Sequence, residues 1–340
     1  MTSQRGVFEV AGPVHLTSVD WTCPHHCRSV AASLVQGAYV LERDRQINRH
    51  GHEARAPSWW NFFHFELIEQ LIDTADSSIF GAIYQFKPPT NTTLSSNAPG
   101  YVIAFRGTIT KKGSRYQDLK LDLRFLNHGL QRTSRFEIAM QAVQNLVSHV
   151  GGDTNIWLAG HSLGSAIALL AGKSMVKSGV LLETYLFNPP FVSAPIEKIK
   201  SERVKNGMRI AGSYFTAKVA ASVKGQRVKS EEYFAILSSW VPYIFVNKED
   251  NICSGYVGYF ENRKKMEDRG AGEIGRLATQ NSVRDVLLSA IGKECEPLHI
   301  LPSARVTVNL SGTSDFKTAH GIHQWWRTDA HLQSQEYFFR

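Results

Sequence analysis

The chain has 340 residues, with 38 Lys and Arg against 30 Asp and Glu for a formal charge of +8, and 43% of its residues are hydrophobic and 20% charged. That balance is globular and excludes a disordered chain, and no apolar run reaches the roughly 18 residues needed to span a bilayer. The modest positive excess comes without a long basic run or a zinc-finger or RNA-binding signature, so nucleic acid is not the expected partner. Four cysteines are too few for a disulfide scaffold, and the first ten residues lack the apolar core and small-residue cleavage site of a secretory signal. The expectation is a cytoplasmic protein with reduced thiols.

In chain order, the first thirty residues read as irregular, punctuated by Pro13 and Pro24. From Arg28 to Arg45, Val30, Leu34, Ala38 and Leu41 recur at helical spacing, and Trp59 to Ile72 repeats the pattern with Phe62, Phe65, Ile68 and Ile72. Ser78–Phe86 reads as a strand, Thr90–Gly100 as a loop, and Tyr101–Phe105 as a short apolar strand. Helices over Arg135–Val150 and Ser165–Lys177 then alternate with strands at Asn155–Ala159, Thr184–Asn188 and Val241–Val246. Further helical patterns run from Tyr256 to Ile291, a strand lies near Arg305–Leu310, and an amphipathic piece starts at His320. Strands alternating with helices of this length predict an α/β fold with a mainly parallel sheet covered on both faces.

The segment that carries chemistry is Gly160-His161-Ser162-Leu163-Gly164, a Gly-x-Ser-x-Gly pentapeptide between a predicted strand and a predicted helix. Glycines on either side let the chain turn sharply enough to present the Ser162 hydroxyl as a nucleophile. An acyl-transfer serine also needs donors for the developing oxyanion. The backbone N–H of Leu163, directly after the nucleophile, supplies one. Thr108, placed after the strand Val102–Phe105 where Gly107 turns the chain, supplies the other.

Taken together, the Phe105-Arg106-Gly107-Thr108 block, His128-Gly129 and Gly-His-Ser-Leu-Gly resemble the class 3 lipase family of α/β-hydrolases. The similarity to its plant intracellular members extends to Leu16-Thr-Ser-Val-Asp20 and Phe187-Asn-Pro-Pro190. It implies an α/β-hydrolase fold and a Ser-His-Asp esterase or lipase acting on acyl esters, without metal or organic cofactor. The chain departs from the secreted fungal lipases of the family in its longer segment between Ser162 and the candidate acid, and in lacking their secretion signal and disulfides.

Chain order in this fold runs Ser, then Asp or Glu, then His. Asp250 follows the strand Val241–Val246, and Asp250-Asn-Ile-Cys253 resembles the family's acid motif. Beyond it lie His299, His320, His323 and His331. His299 sits in an apolar run and His331 near the chain end. His320 and His323 share Ala319-His-Gly-Ile-His-Gln-Trp-Trp326, and the family pattern of His, apolar residue and aromatics can be laid on either. His320, at the loop-to-helix boundary, is the preferred base, with His323 as the alternative.

The remaining polar features read as structural. Cys23-Pro-His-His-Cys27 has metal-binding residue types but no second pair at zinc-site spacing, so it reads as a turn into a helix. Arg106 and His128 read as loop braces, and Trp325-Trp326 as packing. The organisation expected is a single α/β-hydrolase domain over 1–340, with a helical N-terminal extension over 1–77, a candidate lid at 111–133 implied by the resemblance, and a basic, partly helical insertion at 191–240. The lid segment also fits a half-buried strand, and the insertion competes with it as a cover or as a surface for anionic lipid. The activity expected is hydrolysis of an acyl ester or lipid. The alternatives are a non-catalytic binding protein on the hydrolase fold, and a thioesterase or acyltransferase using the same machinery.

Overall fold

The computed structural model describes residue 8 and residues 12–89, 97–109, 130, 133–151, 154–191, 235–268, 301–313 and 315–338. Apart from Leu130 and Thr133, the candidate lid region 111–133 lies outside these residues, as do His128, His299, residues 192–234 of the insertion and the helical pattern after residue 268.

Eight strands form one sheet in sequential order: β1 (Phe65–Ile72), β2 (Ile79–Phe86), β3 (Tyr101–Phe105), β4 (Ile156–His161), β5 (Glu183–Phe187), β6 (Tyr243–Asn247), β7 (Ala304–Asn309) and β8 (Leu332–Tyr337). β3 to β7 are mutually parallel, while β1, β2 and β8 join antiparallel at the two edges. The parallel strands are near-continuous apolar runs because both of their faces are covered.

Alternation along each strand divides the core into two layers. Ile103, Phe105, Leu158, Leu186, Ile244 and Val246 face helices α2 (Ser134–Val150) and α3 (Leu163–Lys177). Val102, Ala104, Trp157, Tyr185, Phe187 and Phe245 face the other way, onto a layer containing α1 (Pro24–Gln46) and the turn of 3-10 helix Ile322–Trp326. Fully burying a large apolar side chain contributes about 1.5–3 kcal/mol, and Trp59, Trp157 and Trp325 are all buried in this second layer. Helix α1 begins with Pro24 in its first turn, where the missing N–H is no loss. It is anchored by Glu42, whose carboxylate accepts from Ile79 N at 2.8 Å, and by Arg28, whose Nε donates to Trp325 O at 2.8 Å.

Two predicted elements are corrected. Phe65–Ile72 is an edge strand and not helix, so the extension over 1–77 is only partly helical: after one helical turn at Ser58–Asn61 the chain reverses through His64, at φ 61°, into β1. The helical spacing of Ile68 and Ile72 was misleading because both lie exposed, and a bulge between Leu67 and Glu69 interrupts the period-two alternation. At the other edge, the amphipathic piece from His320 is no continuous helix. Helix α5 (Phe316–His320) ends there, the 3-10 turn follows, and Leu332–Tyr337 forms β8 against β7. Helix α4 (Gly255–Asp268) accounts for the start of the pattern seen from Tyr256.

All five parallel strands end at one edge of the sheet. In chain order, the residues beyond those ends include Arg106-Gly107, Ser162, Asn188 and Asp250. Loops at the carboxyl ends of parallel strands are where α/β sheets build their sites.

Candidate active site

Ser162 occupies a backbone conformation that side chains avoid, with φ 55° and ψ −122°. Such a residue costs on the order of 1–3 kcal/mol and persists only when its surroundings hold it. Here Ser162 N donates to Phe187 O at 2.9 Å, and Ser162 O accepts from Ser165 N and Ala166 N at 3.0 and 3.3 Å as α3 begins. Ser165 Oγ lies 2.6 Å from Gly160 O and 2.7 Å from Phe187 O, knitting the turn to β4 and β5. A Cβ on Gly164 would collide with the Phe105 carbonyl, and one on Gly160 with the Gly164 backbone. The glycines are therefore required by close packing of helix on strand, in addition to the turn. The Ser162 hydroxyl is buried and has no hydrogen-bond partner among the described residues. An unsatisfied buried hydroxyl costs roughly 1–3 kcal/mol, and such exceptions call for an explanation.

Beside the turn, Gly107 approaches so closely that a Cβ there would come within 2.8 Å of Ser162 Cβ. The loop is held by Arg106, whose Nε donates to Ile79 O at 2.5 Å and whose Nη1 donates to Gly107 O at 2.7 Å. The expected brace is present. Thr108 follows in the same loop, and Leu163 is the first residue of the 15-residue α3, where the first backbone N–H groups have no intrahelical acceptors.

Asp250 is completely buried, and His320 is 8% exposed. His320 Nδ1 lies 2.8 Å from Asp250 Oδ2, which leaves Nε2 as the ring nitrogen free of the carboxylate. The same Oδ2 accepts from Asn188 Nδ2 at 2.7 Å and from the Cys253 thiol at 3.1 Å, while Oδ1 accepts from Ile252 N at 2.9 Å. Burial pushes the Asp250 carboxyl up. The charge and hydrogen bond of His320, with the Asn188 and Ile252 donors, outweigh burial and hold it below the usual aspartate value. Phe316 stacks on the His320 ring at 5.2 Å and 11°. His320 is thus the last residue of a short helix, not the first of a longer one. Its side chain makes the carboxylate contact that the exposed His323 does not.

Two residues of this arrangement were not singled out from sequence. Asn188, at φ 47°, donates to Asp250 and to Ala319 O at 3.1 Å, and its Oδ1 accepts from Trp325 Nε1 at 2.7 Å. It joins the acid to the segment that carries the histidine. An asparagine stopping a strand before two prolines is a signal for a left-handed turn, and that signal was available. Gln324 accepts from Asn247 and Asn309 at 2.9 and 3.0 Å and donates to Ala319 O at 2.7 Å, tying the same segment to β6 and β7. No local pattern announces that role.

The Cys23-Pro-His-His-Cys27 segment forms the start of α1 with free thiols, the buried Cys27 thiol being pushed up to about 12 mainly by burial. Among the described residues there is no group of three or more His, Cys, Asp or Glu arranged to hold a metal ion, and no helix is long and apolar enough to cross a membrane.

The model of the family described as lipase (class 3) matches residues 102–196, which include the oxyanion-loop candidate and the serine turn. A protein of Arabidopsis thaliana named GDSL esterase/lipase At4g10955 is 50% identical over 354 aligned positions, covering all of both chains. The present chain has no Gly-Asp-Ser-Leu tetrapeptide; Ser162 stands in Gly160-His161-Ser162-Leu163-Gly164. A crystal structure of a lipase from Rhizopus microsporus var. chinensis matches at a TM-score of 0.34 and 12% identity, covering 68% of this chain and 69% of that one, a likeness too loose to equate individual residues. Identity of one half across the full length, with the family model over the strand–turn–helix core, makes this chain a member of the class 3 lipase family of α/β-hydrolases, a family of carboxylic ester hydrolases.

Proposed function

We propose that the protein hydrolyses an acyl ester through a covalent acyl-enzyme, with Ser162 as nucleophile, His320 as base and Asp250 as acid. The observation that carries this reading is the buried Asp250–His320 pair at the same sheet edge as a strained serine whose hydroxyl has no partner among the described residues. In the reaction, His320 Nε2 takes the proton of Ser162 Oγ as that oxygen bonds to the ester carbonyl carbon. Asp250 fixes the imidazole with its proton on Nδ1 and stabilises the imidazolium. The tetrahedral oxyanion receives hydrogen bonds from the N–H groups of Leu163 and Thr108, each supplying about 3 kcal/mol in the transition state. Collapse breaks the ester C–O bond, and His320 returns the proton to the leaving alcohol. Water, deprotonated by the same imidazole, then releases the acid and restores Ser162.

The substrate class proposed is an acyl ester of lipid character, handled by one cytoplasmic hydrolase domain. The test uses a fluorophosphonate probe together with p-nitrophenyl esters of graded chain length. Wild type should be labelled and active, and Ser162→Ala neither. Equal labelling of the two proteins overturns the assignment.

A further inference from the structure

Tyr39 lies in α1, 122 residues from His161 and 68 from Gly107, yet its hydroxyl joins the two. Gly107 N donates to Tyr39 Oη at 2.7 Å, Tyr39 Oη lies 2.8 Å from His161 Nδ1, and His161 Nε2 lies 2.7 Å from the backbone oxygen of His320. Both ends of this chain fix its direction. A backbone N–H can only donate and a carbonyl can only accept, so His161 carries its proton on Nε2 and Tyr39 donates to Nδ1. Burial, reinforced by the neighbouring His320, pushes the His161 imidazole down to about 3, which keeps it neutral through the working range. Desolvation likewise raises the Tyr39 hydroxyl well above its usual value, so it stays a donor.

Gly107 is thereby gripped twice, at its N–H by Tyr39 and at its carbonyl by Arg106. The Gly107 carbonyl and the Thr108 N–H belong to one planar trans peptide and point in opposite directions. Holding the carbonyl therefore aims the N–H. At its other end the relay reaches the backbone of the residue whose side chain pairs with Asp250.

We propose that Tyr39 is a positioning residue for the hydrolysis: its hydroxyl, acting through His161, ties the oxyanion loop to the backbone of the base so that donor and base keep one spacing. This rests on the triad reading above. It assigns α1 a part in turnover that the nucleophile, acid and base do not require by themselves. A displacement of about 1 Å in such a constellation lowers turnover by up to about a hundredfold.

Tyr39→Phe keeps the ring and removes the hydroxyl. We expect its kcat to fall between about tenfold and a hundredfold with KM within about twofold. The inhibition constant of a phenylboronic acid, which mimics the tetrahedral intermediate, should rise by the factor by which kcat/KM falls. The end-point number of fluorophosphonate-titratable sites per chain should be unchanged. His161→Leu has no acceptor for Tyr39 and no donor for His320 O, and the double variant should lose no more than the larger single loss, as members of one network do. Wild-type kcat in Tyr39→Phe, a loss accounted for wholly by fewer titratable sites, or strictly multiplicative losses in the double variant would each overturn the inference. Ser162→Ala separates the two levels: if it stays active the triad reading fails, and if it is inert while Tyr39→Phe turns over normally, only the role of Tyr39 fails.

Discussion

Around Ser162 the hydrogen bonds that hold the turn run to Ser165 and Ala166, three and four positions on, and the outermost reaches only to Phe187 on the adjacent strand. Around Asp250 the two side chains bound to Oδ2 that reach farthest come from Asn188 and His320, 62 and 70 positions away, and Asn188 itself is fastened to Trp325, 137 positions away. The backbone of the serine is thus held locally, wedged between a central strand and its helix, where the positive φ of Ser162 stores strain; of the turn, the neighbouring His161 reaches farther, to Tyr39 and His320. The acid–base pair is a long-range object, and closing such loops costs entropy that every contact must offset. The two halves should respond differently to mutation. Changes near the serine act on chemistry with little effect elsewhere, while changes around Asp250 act on chemistry and stability together.

The comparison is tested most severely by removing the proposed nucleophile. Ser162→Ala should lower kcat by about four to six orders of magnitude without lowering Tm, since it removes a buried hydroxyl that lacks a partner among the described residues, read by ester hydrolysis and thermal unfolding. His320→Ala should match that loss and His323→Ala should stay within about threefold of wild type; the reverse order would move the base. Asp250→Asn should reduce kcat by about 10⁴ because the imidazole loses its tautomer. Unlike Ser162→Ala, it should also lower Tm.

That variant sharpens the pH dependence as well. The folded carboxyl lies below its unfolded value of about 3.9, so its ionised form is the one the fold favours. Its contribution is present above pH ~4 and is lost as pH falls through the depressed folded value. Wild-type Tm should accordingly drop more steeply than that of Asp250→Asn below pH ~4, and parallel curves would remove the contribution.

Smaller effects belong to the supports. Asn188→Gly keeps the left-handed backbone at φ 47° and deletes only the amide, so it should cost about 1–3 kcal/mol of stability and lower kcat by about tenfold to a hundredfold. Phe316→Leu removes the ring stacked on His320 and should reduce kcat by about two- to fivefold, as expected for losing a contact worth about 0.5–1.5 kcal/mol. If Asn188→Gly left both Tm and kcat unchanged, the contrast between local and long-range halves would fail.

The same contrast explains what could be read from the chain alone. β3, β4, β5 and the helix after Ser162 announce themselves because burial on both faces leaves continuous apolar runs. The edge strands do not: β8 reads Leu-Gln-Ser-Gln-Glu-Tyr with mainly its final residue buried, and β1 exposes the very isoleucines that mimic a helix. Asp250 was legible as a carboxylate just past a strand. The choice between His320 and His323 needed the chain to fold, since only the backbone path through α5 and the following turn decides which ring reaches the acid. Tyr39 lay at a helical position indistinguishable from any partly buried aromatic, and its partner is 122 residues away.

Helix α1 also sets a condition on how the molecule is made. Its Arg28 bonds to Trp325 O, 297 residues later, and the 3-10 turn that carries Trp325 packs directly against the helix. At about 5–20 residues per second, a ribosome needs on the order of 15–60 s to synthesise the stretch between them. During that interval Val30, Leu34 and Trp59 belong to a layer whose last wall does not yet exist. The nascent chain is therefore a natural client for chaperones, and a recombinant chain cut short before Trp325 would display that layer to its neighbours and aggregate.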